Sequence, residues 1–132
     1  MIVVDSTVWA AFFNGDDLPE VDHLARCLEQ HEPLAILPII LTEVLQGFKT
    51  DSGFRRARKV MQRVPALDPG TETHVSAAQL YRRLRKKGVT VRGAVDCVIA
   101  SACIEHGAEL LTLDRDFRAI AKHARLVLAD AS

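Results

Sequence analysis

A chain of 132 residues suits a single domain, 1–132, with a sizeable core, and 48% apolar against 26% charged residues excludes a disordered protein. The formal net charge is zero but unevenly spread: residues 1–48 hold eight acids against one base, Arg26, while twelve of the 17 Lys and Arg lie in two later blocks. The longest apolar run, Leu34–Leu41, is broken by Pro38, and no basic stretch leads into an apolar one at the N-terminus, so neither a membrane span nor a secretory signal is expected.

Ile2-Val3-Val4 is apolar without alternation, the pattern of a strand covered on both faces, and Asp5 follows it directly. Ligands of open α/β sheets bind outside the carboxyl ends of the strands, so Asp5 is placed either for chemistry or to cap the helix that begins around Val8. Asn14-Gly15-Asp16-Asp17 reads as a turn whose aspartates can cap a second helix, with Pro19 in its first turn and Leu18, Val21, Leu24 and Leu28 at helical spacing. Leu34–Leu37 is a short strand. Pro38 then opens a helix with Leu41, Val44, Leu45 and Phe48 on one face, away from which Glu43 points.

A helix from Asp51 or Ser52, burying Phe54, Ala57, Met61 and Val64, stops at Pro65, and Ala66-Leu67 suits a brief edge strand. Thr71–Lys87 is a long helix with Ala77, Tyr81 and Leu84 inward, a basic end and Gly88 beyond it. An extended link, Val89–Arg92, leads into the helix Ala94–His106, which Gly107 terminates. Ala108–Leu113 is a second interior strand followed directly by Asp114, then a short helix holding Phe117 and Ile120, and Leu126–Leu128 is a last strand. The alternation predicts a parallel sheet with helices on both faces.

The three cysteines, Cys27, Cys97 and Cys103, form no C-x-x-C pair and sit in apolar surroundings, as buried thiols of a reducing cytoplasm do. The histidines show no zinc spacing. Four acids stand apart: Asp5 and Asp114 at strand ends, Asp96 in the first turn of a helix, and Glu43 off an apolar face. Right-handed crossovers bring parallel strand ends to one edge of the sheet, where these elements can meet. Converging carboxylates must either take up protons or share a cation, and an all-oxygen cluster selects a hard ion, Mg²⁺ or Mn²⁺. Ser6 and Thr112 are placed to orient the carboxylates or a water, and the basic blocks, Lys49–Arg63 and Arg82–Arg92, to meet phosphates.

In this order the residues resemble the PIN-domain ribonucleases, and among them the VapC toxins: Asp5 in V-V-D-S-T-V-W, Glu43 in T-E-V-L-Q-G, Asp96 in V-D-C-V-I-A-S-A and Asp114 in L-L-T-L-D-R-D-F. The resemblance implies a PIN-like α/β/α sandwich with a five-stranded parallel sheet and Mg²⁺-dependent endonucleolytic cleavage of RNA, commonly tRNA or ribosomal RNA. Asp5, Asp96 and Asp114 would be metal ligands, Glu43 a ligand or the residue that positions the attacking water, and Asp116 an additional or water-mediated ligand. A homodimer and a cognate VapB-type antitoxin are the implied partners. Arg82, Arg83, Arg85, Lys86, Lys87 and Arg92 are candidate RNA-binding residues, and the scarcity of aromatics favours recognition through phosphates and RNA shape.

Two other readings compete. A non-catalytic adaptor would keep the fold and bind RNA or protein through Arg82–Arg92, which leaves the intact acids without a role. A phosphohydrolase with Asp5 as covalent nucleophile would resemble the haloacid dehalogenase group, which places a second acid where this chain has Thr7.

Overall fold

The computed structural model describes residues 1–131. Its sheet is built from β1 (Ile2–Val4), β2 (Leu34–Ala35), β3 (Glu109–Leu111) and β4 (Val127–Leu128). They pair in the order β2-β1-β3-β4, every pair parallel, with Ile2 opposite both Leu34 and Glu109. Helices α1 (Ser6–Asn14) and α2 (Pro19–Glu29) connect β1 to β2; α3 (Pro38–Leu45), α4 (Asp51–Met61), α5 (Thr71–Lys86) and α6 (Ala94–Glu105) connect β2 to β3; α7 (Arg115–His123) connects β3 to β4. This is the expected α/β architecture, a parallel sheet flanked by helices.

The sheet has four strands among the described residues where five were expected. Ala66-Leu67 contributes one parallel bridge, Ile36 to Ala66, made by Ile36 N–H donating to Pro65 O at 3.0 Å and Leu67 N–H to Ile36 O at 2.8 Å. Proline on both sides explains the single rung. Pro65 and Pro69 lack the N–H that further ladder bonds need, and Pro38 turns the neighbouring chain into α3.

The core follows the apolar pattern. Val3, Val4, Val8 and Trp9 from the N-terminal unit, Leu110 and Leu111 from β3, and Phe117 and Ile120 from α7 are all essentially inaccessible. In α6, Cys97, Ile99, Ala100, Ser101, Ala102 and Cys103 are buried, so the body of this helix is covered nearly all round, while its first turn, with Ala94 and Val95 exposed, opens to the surface. Gly15, at φ 75°, and Gly107, at φ 61°, end α1 and α6 in the left-handed conformation that residues with a Cβ rarely adopt.

Several local details differ. α2 is capped by Leu18 without a side-chain hydrogen bond, since Pro19 at its first position has no N–H to satisfy and the aspartates remain in the turn. The buried residues of α3 are Ile40 and Val44, with Leu41, Leu45 and Phe48 half-buried against them. Thr50 caps α4, its Oγ1 accepting from Gly53 N–H at 3.1 Å. Phe54 is 38% exposed, and α5 buries Leu80 where Tyr81 lies half-covered.

All three thiols are buried, and burial pushes Cys97 up to about 11 and Cys103 up to about 12. A disulfide reagent should therefore titrate no thiol rapidly in the native protein and three in denaturant, with release of thionitrobenzoate as the readout.

Candidate active site

Asp5 is 3% exposed and lies at the carboxyl end of β1, where its N–H still donates to Leu111 O of β3 at 2.9 Å. A buried carboxylate needs donors, and two hydroxyls supply them. Thr7 Oγ1 and Thr112 Oγ1 each donate to Asp5 Oδ2 at 2.9 Å. Both hydroxyls also accept backbone bonds, Thr7 from Leu113 N–H at 3.1 Å and Thr112 from Asp114 N–H at 3.0 Å. The same two hydroxyls, through four hydrogen bonds, thus fix the carboxylate and tie the end of β1 to the segment beyond β3.

That backbone anchor sets Asp114 in place. Its Oδ1 caps α7 by accepting from Asp116 N–H at 2.9 Å, leaving Oδ2 toward the cleft, where Arg92 Nη2 donates to it at 3.1 Å. Arg92 Nε also lies 3.5 Å from Asp116 Oδ2. Asp96, in the first turn of buried α6, completes a group: one carboxylate oxygen from each of Asp96, Asp114 and Asp116 lies within 4.8 Å of the others. Glu43 shares with Asp5, Asp96 and Asp114 a cleft of about 330 Å³ that Ser6, Thr7, Arg92 and Gly93 also line.

Mutual repulsion marks this cluster. Two carboxylates at such separations repel by roughly 3–4 kcal/mol at an effective dielectric near 20. Burial first, then the charges of Asp114, Asp5, Asp116 and Glu43, raise Asp96 to about 6. Burial and then Asp5 also raise Glu43, against which a Ser6 hydrogen bond acts. Two buried oxygens, Glu43 Oε1 and Asp116 Oδ2, have no hydrogen-bond partner. An oxygen-only donor set, with Glu43 Oε1 unpartnered and Asp116 Oδ2 held only by an ion pair to exposed Arg92, fits a hard divalent ion and offers nitrogen- or sulfur-preferring metals nothing.

The four acids singled out from the sequence therefore border one cleft, and Asp116 joins them. Ser6 faces Glu43, and Thr112 faces Asp5. Thr7 was missed as a positioning group: it carries a hydroxyl beside Asp5, but its tie to Leu113 crosses 106 positions. Arg92 departs from the basic block in which its sequence position put it. Arg82, Arg83 and Lys86 line a separate cleft between α5 and α6 with Ser101 and Glu105, Lys87 and Arg83 line another with Lys122 and Arg125, and Arg85 lies over the Tyr81 ring at 5.8 Å.

A parallel α/β sheet whose strand ends deliver acids into one cleft defines a class of protein, and comparison with known proteins gives the family. The PIN domain profile matches residues 2–123, and the chain belongs to the PIN domain family. VapC proteins are among its relatives: it is 30% identical over 131 residues to ribonuclease VapC11 of Mycobacterium tuberculosis, covering 98% of each chain. Among solved structures it superposes with TM-score 0.78 on a chain of VapBC2 from Rickettsia felis bound to a promoter DNA fragment, at 22% identity over 98% of each chain. A chain of a toxin–antitoxin complex from Klebsiella pneumoniae gives 0.74 at 19% identity, over 100% of this chain and 98% of that one.

Asp96 gives the metal-free protein a predictable pH dependence. Its folded value, about 6, exceeds the ordinary 3.8, so between these limits the folded state binds more protons than the unfolded one and stability falls as pH rises. The penalty is absent below the window and complete above it. In chelator, Asp96→Asn should raise Tm at pH 7 relative to the parent, and the difference should vanish near pH 3.5, as thermal scans at both pH values will show.

Proposed function

We propose that this protein is an Mg²⁺- or Mn²⁺-dependent endoribonuclease toxin of the VapC kind, acting in a reducing cytoplasm. The observation that carries this reading is the meeting of Asp5, Glu43, Asp96 and Asp114 around one cleft, with the buried Oε1 of Glu43 left without a hydrogen-bond partner. The names of its VapC relatives support ribonuclease activity.

Asp5, Asp96 and Asp114 are the residues that would hold the ion, with Asp116 beside them and Glu43 opposite. When bound, the ion supplies positive charge to a phosphodiester in transit and acidifies water. The chain's own contribution is placement. Thr7 and Thr112 stop the Asp5 carboxylate from rotating, the α7 cap does the same for Asp114, and the free Oε1 of Glu43 is placed to accept a hydrogen bond from the attacking water. Thr7 also stands where the covalent phosphohydrolase reading needs a second acid. An adaptor has no use for acids gathered around one cleft.

The RNA would be held through phosphates. Arg82, Arg83, Arg85, Lys86 and Lys87 crowd the end of α5, while Trp9, Phe12, Phe13 and Phe48 pack on one another, leaving few rings for stacking on bases. A VapB-type antitoxin is the proposed regulator, supported by the toxin–antitoxin complexes among the structural neighbours. A second copy of the chain is the other proposed partner, with Ile39 and Phe54, exposed on the packed helices α3 and α4, as available apolar surface.

Asp5→Asn and Asp96→Asn should abolish cleavage of an RNA oligonucleotide while the circular dichroism spectrum is kept; metal-dependent cleavage surviving in both would overturn the reading. Thr7→Val and Thr112→Val should lower cleavage by about 10–100-fold, as loss of groups that orient metal ligands does. Binding of RNA to Asp96→Asn should weaken further with Arg83→Ala and Lys87→Ala. The slope of log affinity against log salt should become shallower by about 1.4 for two lost phosphate contacts on a single strand.

A further inference from the structure

Arg92 lies between buried Val91 and Gly93, the extended residue that caps α6. Its side chain is 81% exposed although it makes two ion pairs, one to Asp114 and one to Asp116. An arginine with a structural role would bury its fork against a single carboxylate. Here one nitrogen reaches each acid and the side chain is otherwise in solvent, so one charge-assisted hydrogen bond to Asp114 and an ion pair to Asp116 are what keep it in place.

The oxygens it takes are informative. Asp114 Oδ1 already serves the α7 cap, so Arg92 sits on Oδ2, the atom left for a cation, and beside the buried, otherwise unpartnered Oδ2 of Asp116. A guanidinium and a divalent ion cannot both hold these oxygens at close range. We propose that Arg92 is a built-in competitor of the catalytic cation: it neutralises Asp114 and Asp116 while the ion is absent, gives them up when the ion binds, and then takes a phosphate of the RNA at the mouth of the cleft. The released side chain is already in solvent, its charge is permanent, and its planar fork matches two phosphate oxygens. This inference rests on the nuclease reading above.

Calorimetric titration of Mn²⁺ into the full-length chain, Arg92→Ala and Arg92→Lys at fixed ionic strength tests the competition without requiring turnover. The ion should bind Arg92→Ala about two- to fivefold tighter than the parent, the span expected when an exposed ion pair no longer competes. Arg92→Lys should fall between. At saturating Mn²⁺, Arg92→Ala should raise KM for an RNA oligonucleotide more than it lowers kcat, and lysine should recover part of the loss. Equal or weaker ion binding by Arg92→Ala overturns the competition, and an unchanged KM overturns the phosphate contact. Absence of ion binding in the parent chain would instead bring down the nuclease reading, and this inference with it.

Discussion

The acidic cleft depends on a carboxylate that cannot turn. Asp5 is buried at the end of β1, and burying an ion is costly unless donors replace the lost water. The two threonines do this with economy, because each hydroxyl that donates to Asp5 also accepts from the backbone just beyond β3. Rotating Asp5 would therefore break both hydroxyl bonds to its Oδ2, one of which crosses from the end of β1 to the end of β3. The orientation of Asp5 and the departure angle of the segment carrying Asp114 are one constraint, and the cap of α7 passes it on to Asp116.

Parallel topology turns this local tie into a site. All four strands point the same way, so Asp5 and Asp114 leave the sheet at one edge, while α3 and α6 arrive there with Glu43 and Asp96. Burial first, and then the charges of its neighbours, raise Asp96, which is carried by a helix whose following turns are buried. A buried α6 is thus the counterpart of a strained cleft: the core resists the relaxation that would separate the charges. Stability given up at one edge of the sheet is the usual companion of a site built for a ligand that neutralises it.

The order of elements and the four leading acids were legible because each rests on short-range signals. An apolar run that stops on an acid, or an acid in the first turn of a helix, marks a place on the sheet edge without knowledge of neighbours. Strand lengths were less legible. Ala108–Leu113 reads as six strand residues but pairs only over Glu109–Leu111, because the N–H groups of Leu113 and Asp114 leave the ladder for threonine hydroxyls. The fifth strand was curtailed by flanking prolines whose effect on ladder length depends on the partner strand. Thr7 and Arg92 escaped for a different reason. Their contacts cross 106 and 22 positions, and for Arg92, named from the sequence only as an RNA-binding candidate, the pairing with Asp114 and Asp116 was not foreseen, since Gly88 at φ 75° ends α5 before it.

Charge layout connects the cleft to its proposed substrate. A cluster of five acids repels phosphate, so an RNA strand would approach it only if cations elsewhere outweigh that field and one cation sits within it. With zero net charge, the chain cannot achieve this through overall attraction. It can do so through separation: acids gathered at the strand ends, bases gathered on α5 and in the segment Lys122–Arg125. Under the proposed function, the basic clefts would hold the polyanion and its approach to the acids would depend on a divalent ion. On this view Arg92 stands at the boundary between the two fields, bound to the acids when the cleft is bare and available to phosphate when it is filled.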